Sequence, residues 1–411
     1  MKINSLAISI NRYSFLKNKV DYILFYFLVL FPVTYYSHFR KELYYFQFLL
    51  ALFLAFKKST RNIIDINYIK VLLLWIIIMI LQSIYFGEIS TITFIGEIMY
   101  ISYAFFIVKI FRNKLPHYFS NIVYFFTLFG LVFYILSVLS SSFHDLLYDI
   151  GVAFQTDIYH THNKSLIFYN WEPVSPNGII RYSSIFSEPG NYACHLGLAL
   201  TWNLLYYKTF FSKKNIVFFL ALILTFSTAG YLTFYFITIS YYFLYNKFSI
   251  RSSTFLILFL ILFFWSFNSL NFMSEKMSNY FTREENINIS VRGRFGATLK
   301  NLDEIKEHPI IGRGLIAQTR FKKEDISIDR EAPWKDLNSW TGYLVRLGIP
   351  GFLLFIYWYS KSILLFLKNE QKDRKFFIII FGGILISLSS QALLITPPFL
   401  TLLYLNSAHK R

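Results

Sequence analysis

Apolar runs close to twenty residues long recur through this 411-residue chain, and about that many residues carry a helix across a hydrocarbon core of roughly 30 Å. In hydrocarbon every backbone N–H and C=O must find a partner within the protein, so such runs cross as helices. Candidate spans lie at 20–36, 43–56, 69–86, 90–108, 117–139, 190–207, 215–228, 230–246, 252–270, 339–360, 375–393 and 395–407. The stretch Asn215–Asn246 is long for one helix and short for two. Lys208, Lys213 and Lys214 precede it and Lys247 and Arg251 follow it, so both ends belong on one face and the chain is predicted to turn near Ser227-Thr228-Ala229-Gly230. The short run 43–56 is kept by the same charge argument. With 55% hydrophobic and 15% charged residues and a mean hydropathy of +0.46, the composition lies far outside the globular norm. The expectation is an all-α integral membrane protein: one polytopic helical bundle of about 12 transmembrane helices (11–13) over residues 1–411.

The formal charge of +17 does not mark a nucleic-acid partner, because the basic residues fall in small clusters between apolar runs rather than along one soluble face. Of the 40 Lys and Arg, 23 sit at alternate junctions. This pattern predicts a multi-pass protein of the cytoplasmic membrane with both termini cytoplasmic. Two long loops, 140–189 and 271–338, then fall on the external face, and long loops translocate largely regardless of charge. The first 19 residues, with Lys2, Arg12, Lys17 and Lys19, do not read as a cleavable signal. One cysteine, Cys194, excludes an intramolecular disulfide and a cysteine zinc site. Walker, dinucleotide-binding, HExxH and GxSxG patterns are absent, as is any Asp-x-Asp pair. No cofactor or metal is expected.

Three stretches carry chemistry. The first long loop ends in Arg181-Tyr-Ser-Ser-Ile-Phe-Ser-Glu-Pro-Gly-Asn191, where Ser187 or Glu188 followed by Pro189 reads as a helix start. A helix N-terminus at the membrane surface favours anions; the alternative is an ordinary cap beside an interfacial arginine. The second loop holds Ser290-Val-Arg-Gly-Arg-Phe295, a short amphipathic pattern through Leu302 and Ile305, and His308-Pro-Ile-Ile-Gly-Arg-Gly314. In an extended segment Arg292 and Arg294 project from one face about 7 Å apart, a spacing that lets two guanidinium forks grip a diphosphate; the alternative is a solvated, charge-balanced loop. Finally Leu337-Asn-Ser-Trp-Thr-Gly-Tyr-Leu-Val-Arg-Leu-Gly-Ile-Pro-Gly351 carries Arg346 about two turns into a span. There a charge faces a cavity, finds a partner or snorkels. Glu97 draws the same attention, its alternative being a hydrogen bond between helices, and His195 falls about two turns beyond Glu188 or serves packing alone.

Over about residues 180–360 these stretches resemble the O-antigen polymerase and ligase superfamily of bacterial membrane glycosyltransferases, particularly the Wzy-type polymerases. The resemblance rests on Arg181 with Ile185-Phe-Ser-Glu-Pro189, on Thr225-Phe-Ser-Thr-Ala-Gly230, on Arg292 and Arg294 before His308-Pro309 and Gly312-x-Gly314, and on Asn338 leading to Gly348-Ile-Pro-Gly351. The ligase branch has His-Asn where this chain has Leu337-Asn338, which favours the polymerase. Arg346 stands where the family often has an acidic residue.

The resemblance implies a glycosyltransferase C-like bundle that transfers a growing glycan from its undecaprenyl diphosphate carrier to the next lipid-linked unit. The transfer would be inverting, metal-independent and external, at the bacterial inner membrane. It implies as partners that lipid-linked glycan, the membrane lipid and a polysaccharide chain-length regulator. Arg181, Arg292 and Arg294 would offset the developing negative charge, Glu188 would take the acceptor proton, and Ser187, His308 and Asn338 would bind substrate; Arg346, whose role the resemblance does not supply, is a substrate-binding candidate for its charge at membrane depth. A ligase-type transferase and a lipid-linked oligosaccharide flippase are the competing readings. Alternating access goes with short connections and repeat symmetry, and the chain has two long loops instead.

Overall fold

The structure is a computed structural model describing residues 19–34, 41–58, 64–87, 90–154, 164–175, 178–245, 254, 261, 294–315 and 338–409. The candidate span 252–270, but for Thr254 and Ile261, and residues 271–293, with Arg292, and 316–337 of the second long loop lie outside the described residues.

The chain is an all-α membrane protein. Residues 19–33 form a helical run (α1) that ends in Tyr26–Leu30 and Phe31–Val33. It is followed by α2 (Lys41–Lys58), α3 (Ile66–Phe86), α4 (Thr91–Phe111) and α5 (Leu115–Leu139). Next come α7 (Pro189–Tyr207), α8 (Lys213–Leu224) and α9 (Thr228–Tyr245), with α6 (Ser141–Phe154) between α5 and α7. The C-terminal part contributes α10 (Arg294–Glu307), α11 (Ser339–Asn369), α12 (Phe376–Leu388) and a last run, α13, made of Pro397–Leu400 and Thr401–His409. Three helical runs, Ile66–Phe86, Thr91–Leu139 and Ser339–Asn369, are each long and apolar enough to cross a membrane.

Local chemistry fixes the helix starts. Asp65 accepts from the N–H groups of Asn67 and Tyr68 at 3.0 Å each, Ser212 from Asn215 at 3.2 Å, and Asn338 from Trp340 and Thr341 at 2.9 and 3.3 Å. Each side chain occupies donors that a helix leaves open. The predicted division of Asn215–Asn246 is present: α8 stops at Leu224, Phe226 takes a φ of 45°, and α9 restarts at Thr228.

The outer surface is apolar. Ile84, Ile92, Phe125 and Leu353 stand exposed, the reverse of a water-soluble surface and the expected solvation of a bundle in lipid. At the centre lies α7, buried along nearly its whole length. Small residues let its neighbour come close: a Cβ on Gly230 of α9 would meet that of Ala193 at 2.8 Å, and one on Gly197 would meet Thr233 at 2.8 Å. Close backbone approach of this kind is how helices associate without a hydrophobic driving force.

The stretch 140–189 was expected as a loop and is partly structured. It holds the amphipathic α6 and a short antiparallel pair, β1 (Lys164–Ser165) with β2 (Asn170–Trp171), in register Lys164 to Trp171. The 3.6-residue pattern of α6 was hidden by its length, which is too short for a span. Trp171 donates to the carbonyl of His144 at 3.1 Å and so seats the hairpin on α6.

Candidate functional site

Arg181 opens the segment that links the first long loop to α7, and this segment is stitched to the open end of α8. Its Nε donates to the Thr225 carbonyl at 3.1 Å, and the next backbone N–H, of Tyr182, donates to Leu224 at 2.9 Å. Carbonyls that a helix leaves open at its C-terminus are thereby satisfied. Tyr182 reaches the other way, donating from its hydroxyl to the Thr127 carbonyl of α5 at 2.7 Å, while Ser184 donates to Phe126 at 2.9 Å. Gly130 of α5 is required here, because a Cβ would fall 2.6 Å from the Tyr182 hydroxyl. The guanidinium of Arg181 is therefore held at the α8–α9 turn by its bond to Thr225 and by the anchoring of Tyr182 and Ser184 on α5.

Helix α7 begins at Pro189, as predicted, with Glu188 in the N-cap position. The capping expectation needs correction. Glu188 makes no side-chain cap bond, and the Ser187 hydroxyl accepts from the Asn191 side chain at 2.6 Å. His195 is fully buried, its Nδ1 2.7 Å from the Asn191 carbonyl and its ring stacked 4.3 Å from Phe186. It packs this corner.

Glu172, just after β2, is a residue that sequence reasoning missed. Its side chain is buried, and Asn170 donates to it at 2.8 Å. Burial pushes its carboxyl up to about 8, opposed chiefly by the nearby charge of Arg181; Glu188 is close enough to push the same way as burial. Glu172 thus lies within electrostatic reach of both Arg181 and Glu188. No motif surrounds Glu172, and only its burial beside Arg181 reveals it.

A second cluster forms where α10 meets α11. Arg294 is the first residue of α10, and Arg292, with which it is expected to share one face of an extended segment, lies outside the described residues. Asn301 of α10 donates to Thr341, and Asn338 donates to Thr298, each at 3.0 Å. Asn338 thereby caps α11 and ties it to α10. His308 packs edge-on against Tyr85 and Phe86 of α3, at 5.9 and 5.4 Å.

Helix α11 is kinked at Gly348, whose φ is 70°. The segment after α10 fits into the kink: Arg313 donates its N–H to Val345 at 2.7 Å, and Ile349 donates to Pro309 at 2.8 Å. Gln82, on α3, donates to the carbonyls of Ile311 and Arg346 at 2.8 and 2.7 Å and accepts from Leu315 at 3.2 Å. Arg346 does not snorkel. It forms an ion pair with Glu97 at 2.6 Å, joining the two charges singled out inside spans, and Trp75 donates to the other carboxylate oxygen at 3.3 Å. Arg313, another buried arginine, pairs with Glu307 at 2.6 Å and lies 3.9 Å from Glu304.

The chain at and just beyond the C-terminal end of α12 touches both α7 and the start of α11. Cys194, about two turns beyond Glu188, donates to the Ser387 carbonyl at 3.1 Å, and Ser339, next to Asn338, donates to the Gln391 carbonyl. The starts of α7 and α11 therefore lie at one end of the bundle. Among the described residues no three His, Cys, Asp or Glu side chains converge as metal ligands would.

A family model described as O-antigen ligase matches residues 215–356. That stretch takes in the α8–α9 turn, α10, Asn338, Arg346 and the kink of α11, while Arg181, Glu188 and Glu172 precede it. No curated protein and no solved structure matches the chain.

Proposed function

We propose, from the match of residues 215–356 to the family model and the motifs on either side of it, that this chain is a member of the O-antigen polymerase and ligase superfamily and polymerises oligosaccharide units carried on a lipid diphosphate. The superfamily gives a membrane glycosyltransferase role in polysaccharide assembly. The reading of polymerase, external leaflet and undecaprenyl carrier is our own, and one observation carries it: the Arg181 side chain is fixed on the Thr225 carbonyl, and its charge acts on the buried Glu172, which the charge of Glu188 also reaches.

In this reading the acceptor hydroxyl attacks the anomeric carbon of the donor sugar. The new C–O bond forms as the bond to the phosphate oxygen breaks, and the lipid diphosphate leaves with the electron pair. Arg181, with Arg292 and Arg294, offsets the charge that grows on the leaving oxygens, a preorganised arrangement worth more where water is excluded. The acceptor proton passes to a carboxylate. Glu172, with its carboxyl pushed up to about 8, is largely protonated at neutral pH, so Glu188 is the better acceptor and Glu172 sets the field around it. Ser187, His308, Asn338 and Arg346 are assigned to substrate binding in this reading, with Arg346 oriented by its pair with Glu97. A regulator of chain length is a fitting partner, and both termini are assigned to the cytoplasm.

Leu337 supports the polymerase over the ligase, because the ligase branch that the sequence resembles has histidine there. The test is the glycan profile of a deletion strain. Lipid A or carrier bearing a single unit is the expected result, restored to long chains by the wild-type protein and not by the Arg181→Ala variant. Polymer accumulating on its carrier with no attached sugar would make the protein a ligase. Single units trapped on the cytoplasmic leaflet would make it a flippase.

A further inference from the structure

At the far end of α7, roughly 27 Å from Glu188 at 1.5 Å per residue, a half-open cavity of about 360 Å³ lies between the ends of α1, α5, α7 and α11. Its walls are the rings of Tyr22, Tyr118 and Tyr206 together with Asn113, Lys114 and His117. We propose that this cavity is a phosphate-binding site that takes the headgroup phosphate of a membrane glycerophospholipid. The proposal is independent of the glycan reading.

Charge supports it. Lys114 lines the cavity, and the charges of Lys114 and Lys214 both act on His117. Lys214 donates to the Asn121 side-chain oxygen, and Asn121 in turn donates to Tyr22 at 2.6 Å and lies 2.9 Å from His117 Nε2. One amide thus fixes a lysine, a tyrosine and the histidine around the opening. Lys372 adds a third ammonium, 4.7 Å from the centroid of the Tyr206 ring. Two carboxylates are near: Glu370 is in the wall, and Asp21 accepts from Tyr118 at 3.3 Å and pairs with Lys58 at 3.4 Å. The balance of Lys114, Lys214 and Lys372 against Glu370 leaves the cavity positive.

Position supports it as well. The cavity sits where spans end, at the level at which tyrosine rings stand between headgroups and acyl chains. Basic pockets between transmembrane helices on the Lys- and Arg-rich face receive phosphate-bearing headgroups, each cation contributing modestly. A free phosphate ester offers the same oxygens, so the acyl chains are what separate the two sources.

The test uses the full chain purified in detergent, with native mass spectrometry reading adducts of added phosphatidylglycerol. Wild type is expected to retain one lipid, and Lys114→Gln with Lys372→Gln to weaken retention on the order of 10-fold. Lys361→Gln, which removes a lysine resting on Tyr357, is expected to change nothing. If glycerol phosphate at equal concentration displaces the lipid, phosphate recognition stands and its source is soluble. Undiminished retention in the double variant, or an equal loss in Lys361→Gln, overturns the site. Should the double variant fail to fold, hydrogen exchange on wild type decides: phosphatidylglycerol must protect the amides of 113–118 more than an uncharged diacylglycerol does, and equal protection refutes the proposal.

Discussion

Arg346 reaches from α11 to Glu97 on α4 and pairs with it at 2.6 Å, both side chains largely buried. A charge at this depth is tolerated because its partner is there, and removing one partner strands the other. Glu97→Gln is therefore expected to destabilise the purified protein by about 3–5 kcal/mol, with Arg346→Met similar. Combining the two should cost clearly less than their sum, since neither charge is then left alone. Thermal melting in detergent reads all three, and strict additivity would show that the pair carries no coupling.

Gly312 and Gly348 face each other across the kink of α11. A Cβ on Gly312 would lie 2.4 Å from the Val345 carbonyl oxygen, and one on Gly348 would lie 2.1 Å from that of Ile310. Both have positive φ, 72° and 70°, so alanine adds backbone strain of about 1–3 kcal/mol to the clash. Gly312→Ala and Gly348→Ala should each lower the melting temperature or prevent recovery of folded protein. Gly96→Ala, in α4 with nothing within 4 Å of its added Cβ, should leave stability unchanged or slightly raised.

The bundle was legible in the sequence because lipid imposes a single rule, long apolar runs, and because lysines bracket the short hairpin α8–α9. The kink was half legible. Gly312-x-Gly314 and Gly348-Ile-Pro-Gly351 stood out as motifs, and the structure supplies their reason, a mutual approach of backbones across 36 residues of sequence separation. Arg346 and Glu97 were each marked as costly, but nothing local in a sequence says that residues on α4 and α11 meet. Glu172 and Gln82 were missed for the same reason. A lone carboxylate before a proline, or an amide in an apolar helix, gains meaning only from what tertiary packing places against it.

Asn338 was marked as a substrate ligand, and its side chain is engaged by the fold at both ends, accepting from Trp340 and Thr341 and donating to Thr298. Asn338→Ala is expected to cost about 1 kcal/mol, the usual loss for an N-cap. Asn338→Asp keeps the acceptor and should recover most of that stability. If Asp restores the melting temperature but not glycan chain length, the amide N–H₂ also serves substrate; recovery of both confines Asn338 to capping.

Glu172 gives the pH dependence its sign. Its folded-state carboxyl is raised to about 8 by burial, above the ordinary carboxylate value of about 4.3, so folding favours the protonated form. The stabilisation is complete below the unfolded value and is lost as pH rises through about 8, a decline on the order of a few kcal/mol spread over that window. Glu172→Gln, permanently neutral, should flatten the decline in a melting series from pH 5 to 9 while leaving Arg181 held at Thr225. In assays of chain extension the same variant should lose the limb near pH 8 without abolishing activity, whereas Arg181→Lys, which forfeits the fixed guanidinium fork, should fall about 10²–10³-fold at every pH. An unaltered melting series in Glu172→Gln would mean that the carboxyl is ionised in the fold and that Arg181 dominates its field, which would make Glu172 the proton acceptor in place of Glu188.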